Sequence, residues 1–175
     1  MQRSKIICVL MLGLLAAFSA QSQTITNPGY EDDANGWTIT ISDGDFGPFF
    51  EDNAAQSHSG NECLKFWSDT EHTGSAEQTL TGVPEGRYLV SVWAFGYSST
   101  TMTVSADGGS GVESIDYIIR EPSGNYVNIG VPVQVNATGN LTIKFEHTSD
   151  ASINLQVDDW EITPIGNELI ANPSF

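Results

Sequence analysis

Residues 127–135 read Val-Asn-Ile-Gly-Val-Pro-Val-Gln-Val, with valine or isoleucine at every second position throughout. A period of two residues is typical of a β-strand that buries one of its faces. Shorter runs with the same period lie on both sides of this stretch, and no window keeps a helical period for three turns. The other predicted strands lie at residues 37–41, 64–67, 87–95, 102–106, 141–145 and 153–157.

Turn-forming sequences separate these runs, among them Ser59-Gly60-Asn61, Pro84-Glu85-Gly86 and Thr138-Gly139-Asn140. About eight or nine strands without helices need two packed layers to bury their apolar faces. We therefore predict an all-β fold, a two-sheet antiparallel β-sandwich of the jelly-roll type. A closed barrel is the alternative.

The first 23 residues have the organisation of a secretory signal peptide. Arg3 and Lys5 precede an apolar run at residues 6–17, which is too short to span a bilayer, and small residues follow it. We expect cleavage between residues 19 and 23, with a retained anchor as the alternative. The mature chain would then be secreted, or held at the cell surface or in the periplasm, without a transmembrane helix. Cys63 would be its only thiol, so no intramolecular disulfide is expected.

The chain is strongly acidic. Loss of Arg3 and Lys5 with the signal peptide would leave four basic residues against 22 acidic ones, a net charge of −18. Nucleic acids and anionic membranes need a basic face, so neither is an expected partner. Neutral polymers such as glycans, and divalent cations, remain compatible with this charge.

A short sequence from the start of the predicted domain recurs at the end of the chain. Residues 27–30 read Asn-Pro-Gly-Tyr, and residues 172–175 read Asn-Pro-Ser-Phe. Repeats at domain-sized spacing indicate tandem modules. We predict one complete module at residues 24–164, followed at residues 165–175 by a linker and the start of a second, truncated module. A catalytic or second binding module is therefore expected downstream.

Short motifs of glycine, aromatic and acidic residues follow one another in a fixed order along this module. They are Asn27-Pro28-Gly29-Tyr30-Glu31, Gly36-Trp37, His58-Ser59-Gly60, Gln78, Thr81-Gly82-Val83, Gly86-Arg87-Tyr88, Val92-Trp93-Ala94 and Val157-Asp158-Asp159-Trp160. In this order they resemble the jelly-roll carbohydrate-binding modules of secreted bacterial glycoside hydrolases. The resemblance implies a galactose-binding-domain-like sandwich with Trp37 and Trp160 in its core.

A narrower likeness lies in Leu64-Lys65-Phe66-Trp67, followed by Gln78 and Val92-Trp93-Ala94. This set resembles modules attached to arabinogalactan endo-β-1,4-galactanases. It implies non-catalytic binding of a neutral plant polysaccharide, most specifically β-1,4-galactan or arabinogalactan. Such binding would target a secreted glycoside hydrolase to its substrate. The aromatic-rich stretch Phe46–Phe50 departs from the family pattern.

Sugar binding needs exposed aromatic rings, because one face of a pyranose consists of C–H groups that stack on a flat apolar surface. Alternation within the strands at residues 64–67 and 87–95, which we expect to adjoin each other, puts two tryptophans, a phenylalanine and a lysine on the face opposite the core. The loop at residues 43–52 adds further phenylalanines. The alternative is that these rings pack beneath a loop. The candidate binding residues are Trp67, Trp93, Phe95, Lys65 and Phe49.

The resemblance also implies a structural calcium ion near the start of the fold. Its ligands would be the side chains of Glu31 and Asp158 and the backbone carbonyl of Gly60, with Asp159 as a substitute for Asp158. Calcium accepts six to eight hard oxygen ligands, including carbonyls, at flexible geometry. The alternative is that these acidic clusters are solvated charge.

Two other function classes stay open. A small jelly-roll glycoside hydrolase or lyase would need two carboxylates across a substrate, and 22 acidic residues do not exclude such a pair. His58, His72 and His147 lack zinc-site spacing, and neither a nucleophile elbow nor a phosphate-binding loop is present. The third class is a cell-surface adhesive or structural module that binds protein.

Overall fold

Ten β-strands, all paired in antiparallel fashion, make up most of the described chain. The computed structural model describes residues 24–41, 49–97, 100–119, 125–136 and 139–166, and these ranges contain no helix. The strands are β1 (Thr38–Ile41), β2 (Phe49–Phe50), β3 (Leu64–Trp67), β4 (His72–Thr81), β5 (Gly86–Phe95), β6 (Thr100–Asp107), β7 (Val112–Ile119), β8 (Val127–Val135), β9 (Asn140–Ser149) and β10 (Asn154–Pro164).

The strands form two sheets of five. The first sheet has the order β1-β4-β9-β6-β7, and the second sheet has the order β2-β3-β10-β5-β8. The predicted all-β, two-sheet antiparallel sandwich is therefore confirmed. Because β10 lies between β3 and β5, the last strand of the described residues occupies the centre of the second sheet.

The count of eight or nine strands was too low, since ten strands lie in the described residues. β4 was missed because its first half, from His72 to Ser75, is polar and contains glycine. β7 was missed because it is exposed along both faces, with 42% of Ile115 on one face and 51% of Ile118 on the other accessible, so no buried face imposes a period. β2 lies within the stretch 43–52 that was predicted to be a loop, where it pairs with β3.

The core lies between the two sheets and is made by the alternate residues that the sequence pattern selected. Val90 and Val92 of β5 are fully buried, as are Ile143 and Phe145 of β9. Phe66 of the second sheet faces Phe145 of the first, with ring centroids 6.4 Å apart. Each such side chain contributes roughly 1.5–3 kcal/mol when it is fully buried.

Three aromatic residues fasten the start of the module to its last strand. Tyr30 is fully buried, and its hydroxyl accepts a 3.0 Å hydrogen bond from Trp160 Nε1. Trp37 lies 5.2 Å from Trp160, and its Nε1 donates to the carbonyl of Asn27 at 2.9 Å. Trp37 and Trp160 are buried, as the resemblance implied.

Cys63 is also buried, and burial raises the pKa of its thiol to about 11, so the thiol stays protonated at neutral pH.

Beyond β10, the backbone amide of Ile165 donates to the carbonyl of Arg87 at 2.9 Å. Residues 167–175, which include the repeated Asn-Pro motif, lie outside the described residues, as do the predicted signal peptide and Phe46. Within the described ranges, no helix is long and apolar enough to cross a membrane.

Candidate functional site

The outward face of the second sheet carries the aromatic residues that the sequence analysis singled out. Lys65 and Trp67 alternate on β3 with the buried Leu64 and Phe66, so they lie on the expected face. The strands that carry Trp67 and Trp93 are not adjacent, contrary to prediction, because β10 lies between them. Across the sheet, Phe49, Lys65, Gln156 and Phe95 form one row on β2, β3, β10 and β5.

Trp67 and Trp93 lie too far apart to form one platform. Trp67 pairs with Asn154 of β10, whereas Trp93 pairs with Asp158 of the same strand. Four residues of extended strand separate these partners by roughly 13 Å. A single sugar ring cannot stack on both tryptophans.

Residues 53–62, hereafter the crossing loop, lie over the middle of this face. The side-chain oxygen of Gln56 accepts a 2.8 Å hydrogen bond from Gln156 Nε2. The backbone carbonyl of Gln56 accepts one of 2.7 Å from the Tyr126 hydroxyl. The His58 ring stacks on Trp93 with centroids 4.0 Å apart and planes 14° apart. Trp93 is therefore covered by a protein ring where the prediction placed a sugar.

Phe95 lies beside the same loop and has aromatic neighbours of its own. Its ring centroid is 5.3 Å from that of Tyr97 and 5.8 Å from that of Tyr126. Phe95 and Trp93 thus belong to a cluster that supports the crossing loop. Of the predicted binding residues, Phe49, Lys65 and Trp67 remain beside open space.

These three residues line a groove of about 310 Å³ at the β2–β3 end of the second sheet, together with Glu51 and Asn154. Lys65 Nζ lies 3.1 Å from Glu51 Oε2, and 38% of Phe49 is exposed. Among the described residues, the side-chain oxygen of Asn154 is buried without a hydrogen-bond partner. The groove therefore combines apolar rings, an ion pair and a side-chain amide.

Sequence reasoning missed Glu51 and Asn154. Glu51 follows a two-residue strand within a predicted loop, so no alternation marked it. Asn154 is in phase with Gln156 and Asp158 on β10, but only the pairing of β10 with β3 places it beside Trp67. That pairing joins segments far apart in sequence.

The predicted calcium ligands meet at the crossing loop. Glu31 Oε1 accepts hydrogen bonds from the backbone amides of Asn61 and Glu62, at 2.8 and 3.1 Å. Gly60 has φ +65°, and a side chain there would overlap the Glu31 carboxylate. The carboxylates of Asp158 and Asp159 both reach the space beside Gly29, so the two ends of the module come together as expected.

Asp158 and Asp159 hold the other side of the crossing loop. Asp158 Oδ2 accepts from the amides of His58 and Ser59, at 2.7 and 3.2 Å. Asp159 adopts φ +45° at an irregularity of β10, and its carboxylate contacts His58 Nδ1 at 2.6 Å and the Ser59 hydroxyl at 3.0 Å. Burial, and secondly the charge of Asp159, raise the pKa of Asp158 to about 6.

The donors fit calcium in kind, because they are carboxylate and carbonyl oxygens. Glu62, whose backbone amide donates to Glu31, has one side-chain oxygen that is buried without a hydrogen-bond partner among the described residues. In the ranges that the structure describes, however, no three His, Cys, Asp or Glu side chains surround one point closely enough to hold an ion by themselves. Any ion here would need backbone carbonyls and water among its ligands.

Comparison with known proteins identifies the fold. No family model matches the sequence, and no curated protein matches it. Among solved structures, TmCBM61 in complex with β-1,4-galactotriose superposes with a TM-score of 0.73 at 19% identity, over 82% of this chain and 99% of that one. The carbohydrate-binding modules of a study of promiscuous specificity in the β-sandwich superfamily give 0.57 at 12% identity, over 82% and 63%.

An enzyme shares the architecture as well. The Stig cyclase Fisc from Fischerella sp. TAU superposes with a TM-score of 0.57 at 14% identity, over 83% of this chain and 98% of that one. The chain therefore has the jelly-roll fold of carbohydrate-binding modules, and its structural neighbours include such modules, as the sequence motifs indicated. Since one fold supports both binding and catalysis, the side chains of the site must decide the function.

Proposed function

We propose that this chain is a non-catalytic carbohydrate-binding module for a neutral plant polysaccharide, most specifically β-1,4-galactan or arabinogalactan. The observation that carries the proposal is the groove of Phe49, Glu51, Lys65, Trp67 and Asn154. The fold it shares with TmCBM61, whose structure contains β-1,4-galactotriose, supports the choice of glycan.

Each side chain of the groove has a task in this proposal. Trp67 and Phe49 offer apolar surface to the C–H face of a pyranose ring. The side-chain amide of Asn154 borders the groove and can hydrogen-bond a sugar hydroxyl. Glu51 and Lys65 accept from and donate to further hydroxyls at the rim.

The groove is poorly equipped for glycoside hydrolysis. That reaction uses two carboxylates across the scissile bond, one of which has a raised pKa. Among the described residues that line the groove, Glu51 is the one carboxylate, and it is ion-paired with Lys65. The groove therefore supports binding over catalysis. A protein-binding adhesive role has no comparable support among the contacts of this face.

The test is affinity electrophoresis of the mature chain against β-1,4-galactan, arabinogalactan and other neutral glycans, with reducing-sugar release measured in parallel. We expect retardation by galactan without release of sugar. Trp67→Ala and Phe49→Ala should each strongly reduce retardation, whereas Tyr117→Ala, which removes an exposed ring from the other sheet, should not. A folded chain that no glycan retards would refute the proposal, and release of sugar would make it an enzyme.

A structural calcium ion at Glu31, Gly60, Asp158 and Asp159 is part of the proposal. Two observations support it: the carboxylates of Asp158 and Asp159 both reach the space beside Gly29, and a buried oxygen of Glu62 lacks a donor among the described residues. A divalent cation would offset the burial, and secondly the charge of Asp159, that raise the pKa of Asp158. The ion would stabilise the crossing loop and take no part in the groove, which lies at the other end of β3.

The remaining parts of the proposal concern the whole polypeptide. Removal of residues 1–23 on export would deliver the module outside the cytoplasm, where plant polysaccharides are found. A glycoside hydrolase in the same polypeptide, continuing beyond the second Asn-Pro motif at residues 172–175, would gain substrate contact from the module. Sequencing of the gene beyond the codon for Phe175 tests this directly.

A further inference from the structure

A second groove crosses the outward face of the first sheet, on the opposite side of the sandwich from Trp67. It encloses about 620 Å³, twice the volume of the first groove. Six of its lining residues are threonines: Thr38, Thr40, Thr73, Thr101, Thr103 and Thr148. No aromatic ring of the Phe, Tyr or Trp type is among the described residues that line it.

The strand register arranges these hydroxyl groups in rows across the sheet. Thr40 lies opposite Ser75, Ser75 opposite Glu146, and Glu146 opposite Thr103, so one row runs over β1, β4, β9 and β6. A second row joins Thr73, Thr148 and Thr101. Neighbouring positions within a row are about 4.8 Å apart, and positions two residues apart along a strand are about 6.7 Å apart.

The charges in this groove favour an uncharged ligand. Lys144 is paired with Glu146 at 2.7 Å, and Asp116 at the β7 end accepts a 2.7 Å hydrogen bond from Thr103. With Glu77 also lining the groove, carboxylates outnumber the one ammonium group there. Anionic chains would be repelled, while hydroxyl groups, which both donate and accept, suit a surface of threonines and carboxylates.

We infer that the threonine-lined groove is a second binding site for the same neutral glycan, independent of the Trp67 groove. This inference rests on the proposed function. Its volume lies within the range of small-molecule sites, roughly 300–1,000 Å³, and its polar lining suits a hydroxylated ligand that brings little apolar surface. Because the two grooves are on opposite outer faces, a short oligosaccharide cannot occupy both, and one module would bind two separate stretches of polysaccharide.

Two sites of this kind give the module a property that a single site lacks. A chain that engages one groove raises the local concentration of neighbouring glycan segments at the other, so binding to a polymer exceeds binding to a short oligosaccharide. The absence of an aromatic platform should make this second site the weaker of the two.

The test counts bound β-1,4-galactotetraose by native mass spectrometry and by titration calorimetry. The wild-type chain should bind two equivalents. Thr101→Val with Thr103→Val keeps the shape of the side chains and the strand propensity but removes two hydroxyls, so it should lose one equivalent, with that site at least roughly tenfold weaker. Trp67→Ala should lose the other equivalent. Thr142→Val, on the same face but outside the groove, should keep both.

The outcomes separate the inference from the proposed function. A wild-type chain with one equivalent that disappears in Trp67→Ala, or a double valine variant that keeps both, would overturn the second site alone. One equivalent that survives Trp67→Ala and is lost from the double valine variant would support the threonine-lined groove and refute the Trp67 groove. A folded chain that binds none would overturn both.

Discussion

Trp67 and Trp93 look equivalent in the sequence, yet they differ in what covers them. Trp67 borders an open groove, whereas Trp93 is stacked under His58. Truncation of an aromatic anchor in a binding site often costs ~2 kcal/mol or more of binding free energy. We therefore expect Trp67→Ala to weaken galactan binding at least tenfold while leaving the melting temperature nearly unchanged.

Trp93→Ala should behave in the opposite way. Loss of a half-buried indole and its stacked partner should lower the free energy of unfolding by ~2 kcal/mol, with a smaller effect on binding by the protein that stays folded. Urea unfolding and glycan titration of both variants, side by side, check this pair of predictions. Equal binding defects in two stable variants would show that the His58 ring moves aside for a sugar.

A second prediction concerns Gly60, whose backbone is left-handed and whose missing side chain leaves room for Glu31. Gly60→Ala must accept both an unfavourable φ and an overlap with the Glu31 carboxylate. Gly82 is a matched control, because it has φ +73° but nothing within 4 Å of the position that a side chain would take. Gly82→Ala should cost about 1 kcal/mol of stability from the backbone alone.

Gly60→Ala should cost more than Gly82→Ala, by at least about 1 kcal/mol, since the crossing loop must also shift. Chemical denaturation of both variants gives the difference. Identical losses would mean that Glu31 is not seated against the loop as the structure describes.

At the scale of elements, β4 and β9 bring two histidines into the core. His72 and His147 are buried, their ring centroids lie 5.2 Å apart, and Nε2 of each lacks a hydrogen-bond partner among the described residues. Burial, and secondly the proximity of His72, lower the pKa of His147 to about 3. The His147 ring is therefore neutral in the folded protein at pH 7.

This arrangement predicts loss of stability in acid. The unfolded chain takes up a proton on His147 near pH 6.5, whereas the folded chain does so only near pH 3. The stability associated with this group is thus complete above pH 6.5 and falls as the pH is lowered towards 3, by on the order of 5 kcal/mol in total.

Urea unfolding at several pH values in this window measures the effect, with His147→Phe as the comparison. The variant keeps a ring beside Phe66 and Phe145 but cannot take up a proton, so its stability should depend less steeply on pH. Asp158 has a raised pKa, so its contribution to stability increases as the pH falls from about 6 to 3.8, opposite to that of His147. This contribution is the same in both proteins. Parallel pH profiles for the two proteins would contradict the prediction.

For the whole molecule, the proposed calcium ion would tie the start of the module to its last strand. Occupancy at about a hundred times the dissociation constant adds ~2.7 kcal/mol to stability. A chelator should therefore lower the melting temperature in calcium-containing buffer. Glu31→Gln keeps the oxygen that accepts from the loop amides but removes the charge, so it should weaken the response, whereas Glu85→Gln, at an exposed turn, should not. An unchanged melting temperature in the presence of the chelator would contradict the proposal of a structural calcium ion.

The sequence was informative wherever a strand buries one face. Val90, Val92, Ile143 and Phe145 were selected by alternation alone, and the sandwich followed from them. Alternation was uninformative for β7, which is exposed on both faces, and it could not say that β10 separates Trp67 from Trp93. The cover that His58 provides for Trp93 depends on contacts about a hundred residues apart in the chain, at Asp158 and Asp159. Local sequence patterns do not predict contacts between segments so far apart in the chain.

The central place of β10 in the second sheet also determines when that sheet can form during synthesis of the chain. Strands β3 and β5 can pair with their shared neighbour only after residues 154–164 have been synthesised, so the second sheet cannot close before then. Pairings between distant segments of this kind make folding slow, typically milliseconds to seconds. A module whose second sheet stays open until β10 is available would be unfolded during translation, which would suit the export that we propose for it.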